Sequence, residues 1–87
     1  MKNAKLIFAN HETELSEGAS IQGIGFKLFF RDEALVIQVN AGDITLEHVD
    51  GSEERLETDA IHALQVGDVW SQDKSFGRLD YKVISII

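Results

Sequence analysis

The sequence predicts an all-β fold, a small antiparallel β-sandwich or partly open barrel with at most one short helix. Apolar and polar residues alternate along several short segments, which is the period of a half-buried strand. Glycine, aspartate and asparagine separate these segments, as they do at tight turns. The chain has no proline, so no position forbids backbone pairing. Its 87 residues suffice for one core, so residues 1–87 are predicted to form a single β-domain.

The strand pattern is clearest in the first two thirds of the chain. A short apolar run from Ala4 to Ala9 predicts the first strand, and Phe26 to Phe30 predicts another. That second segment ends at the charged trio Arg31-Asp32-Glu33. Alternation then continues over about residues 34–58, which we interpret as a three-stranded antiparallel meander. Its strongest hairpin signal is Asp50-Gly51-Ser52.

The stretch over residues 58–65 fits two structures. Thr58 or Asp59 would cap a short helix there. A strand fits equally well, because alternate residues share one face: Ala60, His62, Leu64 and Val66. We interpret this stretch as a loop or one helical turn. The last strand is predicted from Leu79 to the end of the chain, and its closing apolar residues on both faces are typical of a central strand.

Composition excludes several kinds of function. Fifteen acidic residues against eight basic ones give a net charge of −7, which disfavours direct binding to nucleic acid or to anionic membranes. The absence of cysteine excludes disulfides, zinc–thiolate sites and thiol nucleophiles. No apolar stretch approaches the roughly 20 residues of a spanning helix or forms a signal-peptide core. We therefore predict a cytoplasmic protein.

The negative charge is concentrated in one part of the chain. Residues 43–59 hold seven acidic residues and one basic residue, and so carry −6 of the total charge of −7. Such a segment is either a solvated face that maintains solubility or a docking surface for a basic protein partner. The candidate partner-binding acids are Glu47, Asp50, Glu53, Glu54, Glu57 and Asp59.

Large apolar residues suggest a second kind of contact. Phe29 and Phe30 are adjacent, so in a strand their side chains point to opposite faces. One of them must therefore be exposed or covered by another layer. Trp70 belongs either to the core or to an interface as an anchor. We include all three among the candidate partner-binding residues.

Recognisable catalytic and metal-binding patterns are missing. The three histidines, His11, His48 and His62, lie at no familiar ligand spacing. His48 shares a strand face with Ile44 and Leu46, which suits a packed, hydrogen-bonded histidine at least as well as a ligand. No serine lies in a nucleophile-elbow context. The sequence therefore predicts no catalytic residue, no cofactor and no metal, and the chain is not expected to be an enzyme.

Parts of the sequence resemble degenerate forkhead-associated (FHA) domains. Lys5-Leu6-Ile7-Phe8 followed by Glu14 to Gly18 is similar to their opening hairpin. Leu35 to Val39, Ile44 to Val49 and Leu64 to Trp70 are similar to later strands and to the Gly-Asp turn before the closing ones. The family's phosphothreonine-binding motifs are missing, since there is no Gly-Arg, Ser-x-x-His or Asn-Gly at the matching places. The resemblance therefore implies a sandwich and a role in protein interaction, but no binding residues.

These observations predict a non-catalytic protein–protein interaction module. Its first form is an assembly or adaptor domain that binds a protein partner or self-associates into a homo-oligomer. The alternative is an acidic inhibitor of the phage or plasmid type, which masks the basic nucleic-acid-binding surface of a host protein. Charge pairing in that second case would weaken as salt rises.

Overall fold

The chain forms ten β-strands and no helix in a computed structural model that describes residues 1–87. The strands are β1 Asn3–Phe8, β2 His11–Ser16, β3 Ser20–Gln22, β4 Phe26–Arg31, β5 Ala34–Val39, β6 Ile44–Glu47, β7 Glu53–Leu56, β8 Ile61–Ala63, β9 Val69–Lys74 and β10 Gly77–Ile86. They make a six-stranded sheet in the order β2-β1-β10-β9-β6-β7 and a four-stranded sheet in the order β3-β4-β5-β8. The predicted small antiparallel sandwich is confirmed. None of its elements is a helix able to cross a membrane.

A single core joins the two sheets. Fifteen buried residues from both sheets form one apolar cluster, as the alternating pattern requires. At its centre Phe26 of β4 meets Trp70 and Tyr81 edge-on, with ring centroids 5.9 and 5.2 Å apart. Trp70 and Tyr81 are register partners on β9 and β10, and their rings stack at 5.1 Å. This aromatic contact fixes how the four-stranded sheet sits on the six-stranded one.

The first hairpin closes with two residues in the left-handed region. Ala9 and Asn10 have φ values of 50° and 72°, which a two-residue type I′ turn requires. The Asn10 side chain then binds the neighbouring strand β10. It accepts the backbone N–H of Asp80 at 2.7 Å and donates to the carbonyl of Arg78 at 2.9 Å. These bonds hold the β1–β2 hairpin in register with the central strand.

The predicted three-stranded meander over residues 34–58 is wrong. β5 pairs with β4 and β8 in the four-stranded sheet, whereas β6 and β7 belong to the six-stranded sheet. The chain changes sheet after Asn40, where the carbonyl of Gly25 accepts the N–H groups of Asn40 and Ala41. Gly25 has a φ of +83°, and a Cβ there would lie 2.5 Å from the carbonyl oxygen of Ala41. Alternation locates a strand but does not select its partner, which explains the error.

The hairpin between β6 and β7 is confirmed, with Glu47 opposite Glu53 across the connecting loop. Within residues 58–65 only Ile61–Ala63 form a strand, so the predicted loop is correct for the rest of the stretch and the short helix is absent. β8 pairs with β5, and the carbonyl of Ala60 accepts the N–H of Val39. A helix there would have left this edge of β5 unpaired. The long last strand is confirmed as central, because β10 lies between β1 and β9.

Candidate functional site

The outer side of the four-stranded sheet carries an apolar patch. Phe29, Val36 and Ala63 lie side by side across β4, β5 and β8, and Ile61 follows on β8. We call these four residues the apolar face. Val36 is only 5% exposed although it is not a member of the core cluster. It is therefore covered on the outer side of the sheet, while Ile61 remains 44% exposed.

The local sequence of β4 creates this face. Phe26 and Leu28 point into the core and Phe30 packs against it, so Phe29 lies on the opposite side. The prediction that Phe29 and Phe30 point to opposite faces is confirmed, and Phe30 is turned away from the surface. The Lys27 ammonium lies 5.2 Å from the centroid of the Phe29 ring, within cation–π range.

The charge around the apolar face differs from that of the whole chain. The outward positions of β3, β4, β5 and β8 include two cations, Lys27 and Arg31, and no carboxylate. The protein as a whole carries −7. A partner complementary to this face therefore offers apolar side chains together with acidic groups.

Two of the predicted acidic residues face each other on the six-stranded sheet. Glu47 and Glu53 are direct register partners on β6 and β7, and both are exposed. Neither forms a salt bridge. They line a shallow concavity on the outer side of this sheet together with Lys82 and Arg78. Like charges at opposed positions destabilise a sheet, so this pair is a local electrostatic cost.

The other predicted acids are separated from that pair. The Asp50 side chain accepts hydrogen bonds from the hydroxyl and then from the backbone N–H of Ser52, which lower the pKa of Asp50 and close the turn. Glu57 and Asp59 are exposed in the connection from β7 to β8. Glu54 points to the side opposite its neighbours on β7, toward two histidines. The six acids therefore do not form one continuous patch.

Trp70 lies in the core. It is 4% exposed and stacked on Tyr81, so a partner cannot reach it as a surface anchor. The physical reason is its register opposite Tyr81, which places both side chains on the inner side of the sheet. Its indole Nε1 is buried without a hydrogen-bond partner. The packing therefore corrects the predicted assignment of Trp70: its side chain belongs to the core and not to a partner-binding surface.

Four polar side chains meet where the edge strands β7 and β8 approach each other. His48 Nε2 and His62 Nε2 each lie 3.2 Å from the same oxygen of Glu54. His48 Nδ1 lies 2.8 Å from Oδ1 of Asp68. We call these four residues the histidine cluster. It draws Glu54 from the six-stranded sheet and His62 from the four-stranded one.

Each member of the histidine cluster is held by its local structure. His48 opens the β6–β7 loop, where its N–H donates to the carbonyl of Ser52 at 2.9 Å. Glu54 pairs with Leu46, and His62 pairs with Ile37, so both lie on the inner side of their sheets. Asp68 is 1% exposed and lies in the turn before β9.

The buried Asp68 carboxylate is satisfied from two sides. Its Oδ2 accepts the backbone N–H of Gln65 at 2.9 Å, while its Oδ1 meets His48 Nδ1. The hydrogen bonds that the His48 ring makes with the carboxylates of Asp68 and then of Glu54 raise the pKa of His48 above its usual 6.5. A neutral imidazole has one N–H and so can donate to only one of these carboxylates.

Sequence reasoning did not find the histidine cluster, because its members share no motif. His48, Glu54, His62 and Asp68 come from four separate segments of the chain. The alternation did contain a usable signal. Glu54 points to the same inner side as Leu56, two residues later, and His62 to the same inner side as Leu64. Polar residues in an inward phase indicate a buried polar contact, although they do not identify its partners.

Comparison with known proteins identifies no relative for this chain. No family model matches it, and neither a curated protein nor a solved structure shows significant similarity.

Proposed function

We propose that this chain is a non-catalytic protein-interaction module that binds a partner protein through the apolar face. The observation that supports this most strongly is the apolar patch on an outward sheet surface of a protein with a net charge of −7. Contiguous apolar patches on small soluble proteins commonly mark interaction sites. The resemblance to FHA-like domains, which implies the same kind of role, stays a prediction.

The geometry favours side-chain contacts over strand addition. The edge strands of the four-stranded sheet, β3 and β8, each have three residues. Edges this short offer few backbone groups for an added strand. A partner would instead cover Phe29 and Ile61, with its carboxylates close to Lys27 and Arg31. Symmetric pairing of two copies through this face would bring those cations together, so we favour a different protein over a homo-oligomer.

A pull-down with paired variants tests the proposal. The wild type, a Phe29→Ser/Ile61→Ser double variant and a Phe76→Ser/Ile24→Ser control are immobilised and exposed to lysate of the source cell. Phe76 is 71% exposed and Ile24 is 46% exposed, and neither belongs to the apolar face. Captured proteins are identified, purified and titrated against each form, after circular dichroism has confirmed that every form is folded.

The expected result is a partner that survives high salt, binds the control like the wild type, and binds the double variant at least about tenfold more weakly. If the captured protein is a second copy of this chain, and only the double variant weakens its capture, the apolar face mediates self-association and not binding to a different protein. Equal binding by the double variant would refute the apolar face as the site.

A second candidate function is the acidic inhibitor that masks a basic protein surface. The unpaired Glu47–Glu53 arrangement favours it, since complementary cations from a partner would relieve the repulsion. The test is a Glu47→Lys/Glu53→Lys double variant, with Glu33→Lys as a control in the exposed β4–β5 turn. This candidate predicts a basic partner that elutes as salt rises and is lost with the double variant alone. Binding that persists after both reversals would contradict it.

A further inference from the structure

We infer that the histidine cluster binds one Zn²⁺ ion through His48 Nε2, His62 Nε2 and the carboxylate of Glu54. The inference is independent of the proposed protein-binding face. It rests on the positions of three ligand atoms and on the buried carboxylate behind one of them.

The ligand atoms already lie at distances close to those of a zinc site. One nitrogen or oxygen atom from each of the three residues lies within 4.8 Å of the others. Both histidine nitrogens are 3.2 Å from the same Glu54 oxygen. In a tetrahedron with metal–ligand distances of about 2.0–2.1 Å, neighbouring ligand atoms are roughly 3.3 Å apart. Small side-chain rotations therefore suffice to place an ion among them.

Asp68 prepares His48 for this role. A histidine that binds zinc through Nε2 donates its Nδ1 proton to a carboxylate or carbonyl, which fixes the tautomer and the ring orientation. Asp68 Oδ1 lies 2.8 Å from His48 Nδ1, and its other oxygen is held by the N–H of Gln65. The Nε2 lone pair of His48 then faces His62 and Glu54. Asp68 is thus a positioning residue.

A metal ion would also satisfy both ring nitrogens of His48. Both ring nitrogens of His48 face carboxylates, and one neutral imidazole cannot donate to both. A divalent cation bound by His48 Nε2, His62 Nε2 and the Glu54 carboxylate would satisfy that side of His48 and leave its Nδ1–H to donate to Asp68. Two imidazole nitrogens with one carboxylate suit zinc, whereas calcium and magnesium prefer oxygen ligands alone.

The site is reachable from solvent and could hold a fourth ligand. The side chains of His48 and His62 are 22% and 28% exposed, and that of Glu54 is 43% exposed. They line a shallow polar depression that also contains Asp50 and Ser52. Three protein ligands with an open position are typical of zinc sites that keep a water molecule. The ion would also connect edge strands of the two sheets, in a domain without disulfides.

The test is titration of the purified, chelator-treated full chain with Zn²⁺ alone, followed by calorimetry and thermal unfolding. We expect one equivalent to bind and the unfolding midpoint to rise by on the order of 10 °C at 100 times the Kd. Co²⁺ should give the visible absorption of a tetrahedral site. Mg²⁺ and Ca²⁺ should produce neither effect.

Variants separate a built site from surface binding. His62→Asn and Glu54→Gln should weaken zinc binding by more than the about 10–100-fold expected for the positioning variant Asp68→Asn. His11→Asn is the matched control, since His11 is exposed on β2 outside the cluster, and it should bind like the wild type. Glu54 is the most exposed ligand, so Glu54→Gln decides the matter if His62→Asn does not fold. Absence of binding at 1 mM Zn²⁺, or equal weakening by His11→Asn, would overturn the inference.

Discussion

The two sheets share one core but differ in the chemistry of their outer sides. The outer side of the six-stranded sheet is charged, with Lys5 opposite Glu14 and Glu47 opposite Glu53. The four-stranded sheet carries Phe29 and Val36 at comparable outward positions. A need for solubility explains the charged outer side of the six-stranded sheet, but it does not explain the apolar residues on the four-stranded one. Alternation alone therefore identifies the residues that face the core. The chemical character of the outward residues indicates which surface contacts another protein.

The largest test of this contrast compares two phenylalanines of β4. Phe26 is fully buried between the sheets, so Phe26→Ala should reduce the free energy of unfolding by about 3–5 kcal/mol. Phe29 lies on the apolar face, and Phe29→Ala should cost about 1 kcal/mol or less. Urea unfolding of both variants measures the difference. Equal losses would show that Phe29 belongs to the core and that the two outer sides do not differ in role.

The next test concerns the boundary between the sheets. Asp68→Ala removes the acceptor for the Gln65 N–H and the partner of His48, and should cost about 1–3 kcal/mol of stability. Asp73→Ala is the control, because Asp73 is exposed on β9, and its effect should stay within about 0.5 kcal/mol. Chemical denaturation with chelator present measures both. An Asp68→Ala variant as stable as the wild type would mean that these two hydrogen bonds do not stabilise the fold.

Charge changes on each outer side sharpen the contrast further. Glu47→Lys removes the repulsion with Glu53 and should stabilise the fold by a few tenths of a kcal/mol at low salt. In the four-stranded sheet, Gln38→Lys places a second cation opposite Lys27 and should destabilise the fold by a similar amount. Both effects should shrink in 1 M salt. Thermal unfolding at two ionic strengths checks them, and effects of the same sign would contradict the assigned geometry.

The smallest effect is the pH dependence that arises from His48. Its pKa is raised in the folded state above 6.5, mainly by the hydrogen bond with Asp68. This contribution is fully present below pH 6.5 and is lost as pH rises through the higher folded-state pKa. The unfolding midpoint should therefore decline from pH 6 to pH 8 with chelator present, and this decline should be weaker in His48→Asn. His11→Asn should retain the full decline. An unchanged slope in His48→Asn would assign the pH dependence elsewhere.

Much of the local structure could be predicted from sequence, because strand alternation and turn chemistry act over a few residues. Phe26 to Phe30, the hairpin at Asp50-Gly51 and the long final strand were all identified in this way. The meander over residues 34–58 was not, because the choice of partner strand depends on the whole sheet. The acidic segment of residues 43–59 was recognised as a unit, yet the register sends Glu53 outward and Glu54 inward.

The sequence by itself therefore determined an all-β domain, its negative charge and most of its strands, since these follow from composition and from a period of two residues. Tertiary structure decided that Trp70 is buried, that Phe29 and Ile61 share one outer face, and that His48, Glu54, His62 and Asp68 meet. These contacts join residues from strands and loops of both sheets. Their proximity arises from the crossing after Asn40 and from the side-chain contact between edge strands β7 and β8, which no local pattern encodes.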